Sequence, residues 1–312
     1  MNYSPTPMHL PDGFLSLTVS ALCWVLAAML IGVAISRTNR SLGERQVPLM
    51  GIMAAFIFAA QMINFPVAGG TSGHLLGGAL AAIALGPWAA MLVMTAVIAV
   101  QGLLFQDGGL LVMGANILNM GLLTAIVGYG IYRASMGRSR TVKLVAAGAA
   151  AWFSVITGAL FTSLELWLSG TARLEIVLPA MLGVHALIGL GEAVITAAAV
   201  GFILRTRPDL LGERSASAQG SRAWVGAGLA IVLVVLLLTP LASVHPDGLY
   251  RVAADLGFLR AAQAGAGPLA GYAVPVTGSL PVSRVLAGLL GAAAVLGLGF
   301  LIGRFLRAGA AR

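Results

Sequence analysis

The sequence predicts an all-α polytopic membrane protein, and three observations carry that prediction. The chain is 59% hydrophobic and only 9% charged. Its apolar residues come in repeated runs of about 20, the length that crosses a hydrocarbon core. Its basic residues sit in short clusters between those runs. A net charge of +8 placed that way is a topology signal and does not indicate a nucleic-acid partner.

Taken in order, about nine spans are expected, over residues 14–36, 47–65, 74–85, 88–105, 110–132, 142–167, 178–204, 223–241 and 285–305. The first is expected to remain a span, because no positive charge precedes it and no small-residue cleavage site follows, as a signal peptide requires. It carries the single cysteine, Cys23, so the chain has no disulfide framework and no Cys-based metal site. It also sets Ala28, Gly32 and Ser36 on one face, as the third span does with Gly78 and Ala82. Such faces let helices approach closely, here within the chain or against another membrane subunit. The third span is short and ends at Gly86-Pro87, which predicts a half-length or tilted segment. Asn64, Asn116 and Asn119, at or within span ends, are expected to hydrogen-bond between helices. The polar stretch 208–222 reads as a linker between a seven-span module, 8–207, and a two-span tail, 223–312. The tail's spans enclose a loop over 243–283, whose Gly and Pro content over 265–281 predicts irregular structure.

The basic residues orient the chain. With the amino terminus outside, the inner loops hold Arg37, Arg40, Arg45, Arg133, Arg138, Arg140, Lys143, Arg205, Arg207, Arg214, Arg222, Arg304, Arg307 and Arg312. The outer side keeps Arg173, Arg251, Arg260 and Arg284 of the 18 Lys and Arg. The positive-inside rule therefore places the amino terminus outside and the carboxyl terminus in the cytoplasm.

Two polar islands then face outward, Met8-His9-Leu10-Pro11-Asp12-Gly13-Phe14-Leu15 and Gly69-Gly70-Thr71-Ser72-Gly73-His74-Leu75-Leu76-Gly77-Gly78, each holding one of 4 histidines. If the chain starts at Met8, its amine, the His9 backbone nitrogen and the His9 imidazole can chelate one ion in fused rings. His74 would complete four nitrogens in a plane, an arrangement suited to Ni(II) or Cu(II). As written, Met1–Pro7 precedes that amine. His74 is expected in the first turn of a helix, where the macrodipole disfavours cations. A deprotonated backbone nitrogen and Asp12 would offset that, and Thr71 or Ser72 would cap the helix. His185 and Glu192 are two turns apart on one helix face, and an ionisable residue inside a span is a functional candidate. Support of the site, direct ligation and coupling to a partner all stay open for this pair. His245, in the long loop, is either a capture ligand or a solvated residue.

Lysine occurs only at Lys143, outside any Gly-x-x-x-x-Gly-Lys-[Ser/Thr] phosphate loop, so the chain is not expected to bind ATP. Neither the His-Glu-x-x-His nor the Gly-x-Ser-x-Gly hydrolase signature is present.

The Met8–Phe14 segment, the Gly69–Leu75 loop and the His185–Glu192 segment together resemble the CbiM/NikM family. These are the substrate-binding membrane components of energy-coupling-factor transporters for cobalt and nickel. The resemblance covers about residues 8–204. The tail's His245-Pro246-Asp247-Gly248-Leu249 resembles the two-span PDGLE or NikN-type companion, with Tyr250 where that pattern has Glu. The resemblance implies a cell-membrane subunit that binds divalent nickel or cobalt as substrate through Met8, His9 and His74, with Asp12, Thr71, Ser72, His185 and Glu192 around them. It implies a transmembrane coupling subunit and cytoplasmic ATPases as partners. Two alternatives stand beside it. An ion-coupled secondary transporter should show repeat-related halves, which the sequence does not display convincingly. A membrane metal-dependent enzyme would need a water-activating carboxylate, such as Glu192, beside His74.

Overall fold

The computed structural model describes residues 8–40, 42–43, 46–211, 223–263, 265, 267–274 and 279–310. Apart from one short hairpin, its regular structure is helical. The chain runs through α1 (Leu17–Asn39) and α2 (Gln46–Gln61), then a hairpin of β1 (Phe65–Val67) and β2 (Thr71–Gly73). It continues through α3 (Gly78–Leu85), α4 (Pro87–Phe105), α5 (Met113–Ser135), α6 (Arg140–Leu168) and α7 (Leu174–Thr206). After the linker come α8 (Ala223–Leu238), the short α9 (Gly248–Asp255) and α10 (Leu280–Ala310).

Seven helices among the described residues are long and apolar enough to cross a membrane: α1, α4, α5, α6, α7, α8 and α10. The other two expected spans are helical but shorter. The α2 helix has 16 residues, and α3 only 8. At 1.5 Å per residue α3 rises about 12 Å, less than half a hydrocarbon core. It is buried along its length, so neighbouring helices rather than lipid surround it. A Cβ on Gly78 would fall 1.9 Å from Thr124 Oγ1, so only glycine lets α3 lie this close to α5. Large side chains that face outward, such as Leu22, Val145, Val194 and Leu301, are apolar, as a lipid-facing surface requires.

Local chemistry starts the helices where the apolar runs begin. The Ser16 hydroxyl accepts from Val19 N to cap α1, and Pro87 takes the first turn of α4. Both α4 and α5 contain a π-helical stretch, over Gln101–Phe105 and Ile117–Leu123, that lies beside the site described below. Cys23 is buried, its thiol donating to Glu165 Oε1 across α1 and α6. Asn119 donates to Glu165 and Thr162, joining α5 to α6 as expected of a span asparagine.

Of the two readings of the small-residue face of α1, packing within the chain is not what the described residues show. Ala28, Gly32 and Ser36 are exposed, and Gly32 has no neighbour within 4 Å of a built Cβ. The packed face of α1 is the one carrying Cys23, Ala27, Ala34 and Thr38. A stripe of small residues permits close approach, but the larger contact area lies on the adjacent face.

The tail packs onto the first seven helices. The α10 helix lies along α2, where Gly299 and Gly303 meet Met50 and Val47. The loop preceding it lies over one end of the bundle. Of the linker, Pro208–Leu211 forms a 3-10 turn and residues 212–222 lie outside the described residues, as does Met1–Pro7. In the long loop, short 3-10 turns at Leu259–Ala261 and Ala270–Tyr272 accompany α9.

Candidate metal centre

The Met8–Asp12 segment reaches the bundle before α1 begins, and polar groups from the α4–α5 connection hold it there. Asp107, directly after the π-helical end of α4, is buried. Its Oδ1 accepts from Met8 N at 2.7 Å and from His9 N at 3.2 Å. Its Oδ2 accepts from the Tyr272 hydroxyl at 2.6 Å, and its carbonyl lies 3.0 Å from His9 Nδ1. Asn116 pairs with the Leu10 backbone in both directions, Oδ1 accepting from Leu10 N and Nδ2 donating to Leu10 O, each at 3.0 Å. Gly108 allows this crowding: its φ is +102°, and a Cβ there would meet Asn116 Nδ2 at 2.8 Å and His9 Cβ at 3.1 Å.

His9 is thus anchored on one ring nitrogen and on its backbone. Its Nε2 is buried and has no hydrogen-bond partner among the described residues. Burial pushes the imidazole below its ordinary value of 6.5, and the nearby Asp107 charge pulls it partly back up. Burial raises the Tyr272 phenol well above its ordinary range, with Asp107 adding to that, so the hydroxyl stays a donor.

His74 arrives from the other side on the strand end after β2. Its ring stands edge-on to that of His9, with centroids 5.3 Å apart. The rings face a cavity of about 60 Å³, also lined by His185, Asn119, Thr162 and Asp247. That is room for an ion or a few waters. Glu192 on α7 secures the strand end, its two oxygens accepting from Leu76 N at 2.6 Å and Gly77 N at 2.8 Å. Among the described residues, no group of three or more His, Cys, Asp or Glu side chains is gathered closely enough to hold a metal ion.

Three expected supporting roles are corrected. Thr71 and Ser72 do not cap a helix: they lie in β2, and α3 starts only at Gly78, after a Gly77 with φ of 84° and no side-chain cap. His74 is accordingly outside the first helical turn, because the extended stretch from β2 carries it across α7. The Ser72 hydroxyl donates to the His245 carbonyl at 2.8 Å and accepts from Asn64 Nδ2. Asp12 is not at the cavity. Its carboxylate accepts from Leu110, Leu111 and Val112 N–H groups at 3.0, 2.9 and 3.2 Å, pinning the segment to the approach of α5. Asn116 serves the Met-His segment rather than a helix–helix bond. His185 lies on the α7 face it shares with Glu192 and lines the cavity, its Nδ1 2.8 Å from the Met181 carbonyl. His245 is exposed, so its backbone rather than its imidazole engages the site.

Two carboxylates at the site went unread. Asp107 lies in a short Asp-Gly-Gly connection that reads as a turn. Asp247 sits in the PDGLE-like segment but was not among the candidate site residues. It is buried, and its Oδ1 is 3.8 Å from His74 Nε2.

A family model described as a cobalt uptake substrate-specific transmembrane region matches residues 9–210. A putative fused nickel transport protein NikMN of Archaeoglobus fulgidus is 38% identical over 303 residues, 96% of this chain and 99% of that protein. The fused nickel transport protein NikMN of Rhodobacter capsulatus is 31% identical over 340 residues, 95% of this chain and 97% of its own length. A crystal structure of a truncated transition metal transporter superposes with a TM-score of 0.58 at 36% identity, covering 64% of this chain and 99% of that one.

Proposed function

Since this chain belongs to the CbiM/NikM family and carries a NikN-type carboxyl-terminal fusion, we propose that it is the metal-binding subunit of an ATP-driven importer of the energy-coupling-factor class. It is a multi-pass membrane component of metal uptake, and its substrate is divalent nickel or cobalt. The observation that carries this reading is the meeting of two buried imidazoles, His9 and His74, at one small cavity. With the chain starting at Met8, the ligand set is the Met8 amine, the His9 backbone nitrogen and the His9 and His74 imidazoles. Met8 N and His9 N both donate to Asp107, and the His9 N–H proton must leave when that nitrogen binds metal, so binding exchanges that carboxylate contact for a metal contact. His185 and Glu192 shape the cavity and its strand. Residues 8–207 form the metal-binding module, 208–222 a cytoplasmic linker and 223–312 the companion. ATP is handled by other chains, because no phosphate loop surrounds Lys143.

Isothermal titration of the purified full chain with Ni(II) or Co(II) tests the site. His9→Ala and His74→Ala should each abolish tight binding, because each removes one of few donors, while His245→Ala should retain it. Wild-type affinity in either of the first two variants would overturn the assignment.

Nine membrane segments, with the amino terminus outside, account for the placement of 14 of the 18 basic residues in the four inner clusters. Reporter fusions after Arg140 and Thr206 should read cytoplasmic, and fusions within 257–278 external. A cytoplasmic signal from the last set would break this topology.

A further inference from the structure

One charged group at the cavity has no place in the nitrogen ligand set. Asp247 comes from the far end of the chain. Its segment runs inward, with Val244 and His245 exposed, Pro246 half-buried and Asp247 buried. Two bonds fix that segment on β2, Ser72 N to the Pro246 carbonyl at 2.9 Å and Ser72 Oγ to the His245 carbonyl. Asp247 Oδ2 accepts from Leu249 N at 3.3 Å as the cap of α9, which orients the carboxylate. The other oxygen, Oδ1, lies 3.8 Å from His74 Nε2, beyond hydrogen-bond range. Two donors bound to one small divalent ion at about 2.0–2.2 Å each lie no more than about 4.3 Å apart. The observed separation is therefore one that a single ion can bridge.

The cavity gives this geometry a purpose. Among the described residues its walls are apolar groups, amides, imidazoles and the Thr162 hydroxyl, and Asp247 is the one carboxylate that lines it. A divalent ion that sheds water there needs a compensating negative charge. We propose that Asp247 is a transit ligand: with His74 Nε2 it takes up the incoming divalent cation, and the Met8 and His9 nitrogens then displace it. The metal–oxygen bond breaks as the metal–nitrogen bonds form, the carboxylate leaves ionised, and the protons lost by the nitrogens pass to water. This inference rests on His9 and His74 as the resting site. It makes the companion segment a working part of metal uptake rather than a cover.

Stopped-flow measurement of Ni(II) association with the full-length protein, against a chromophoric nickel chelator, tests the proposal. Asp247→Asn should slow association about tenfold and weaken its dependence on ionic strength. It should leave the absorption spectrum of the nickel-loaded protein unchanged. Asp247→Ser repeats the test with another side chain that caps helices but lacks the carboxylate. Association at the wild-type rate in whichever variant melts as the wild type does would overturn the proposal. So would an altered spectrum of the loaded protein, which would make Asp247 a resting ligand. His74→Ala separates the two readings: if it binds nickel normally, the resting site itself is wrong, whatever Asp247 does.

Discussion

The two histidine segments are held by the same device put to different uses. In each, one buried carboxylate accepts from two consecutive backbone N–H groups: Asp107 from Met8 and His9, and Glu192 from Leu76 and Gly77. On the amino-terminal side the clasped nitrogens are themselves proposed metal donors, so Asp107 must give up at least the His9 N–H, whose proton leaves when metal binds. On the other side the clasped nitrogens follow His74 in sequence and ligate nothing, so Glu192 can hold them throughout. One clasp competes with the metal and the other prepares for it. The location of the carboxylates fits this difference. Asp107 sits in a connecting loop, whereas Glu192 projects from the middle of α7.

The largest expected effect is on the permanent clasp. Glu192→Ala leaves two buried N–H groups unsatisfied and frees the strand that aims His74. Nickel affinity should fall about 10- to 100-fold, the range seen when a group supporting a metal ligand is lost. Titration calorimetry of the variant checks this, and unchanged affinity would mean that His74 is positioned without Glu192.

The competing clasp should respond with the opposite balance. Asp107→Asn weakens hydrogen bonds from Met8 N, His9 N and the Tyr272 hydroxyl to a charged acceptor and should cost the metal-free protein about 1–3 kcal/mol. Metal affinity should fall less than about threefold, or rise, because the bound state has already given up at least the His9 N–H bond. Thermal melts with and without Ni(II) separate the two effects, and parallel losses in both states would erase the distinction between the clasps.

The same variant has a smaller signature in pH. Burial lowers the His9 pKa from 6.5, so the unfolded chain takes up that proton first as pH falls. The stability tied to His9 is therefore fully present above about pH 6.5 and declines below it. Asp107 partly opposes the lowering, so removing its charge should move the acid limit of nickel binding to lower pH. A titration series over about pH 5 to 8 would show that shift, and a shift the other way would contradict the role assigned to Asp107.

Much was legible in the sequence because it is written locally. Apolar run length marks helices whatever they pack against, so each expected span is helical. His9 and His74 stood out because each polar island interrupts a greasy sequence just before a span. What the tertiary structure alone decided was how those islands are held. Asp12, expected near the metal, instead binds the N–H groups before α5, and Ser72, expected as a cap, binds the loop after α8. Asp107 carried no signal in the sequence, and Asp247 stood only as part of the PDGLE-like segment. Each of these groups works on backbone far away in the chain. A hydrogen bond between distant segments leaves no periodicity or spacing in the sequence, since only folding brings its donor and acceptor within 3 Å of one another.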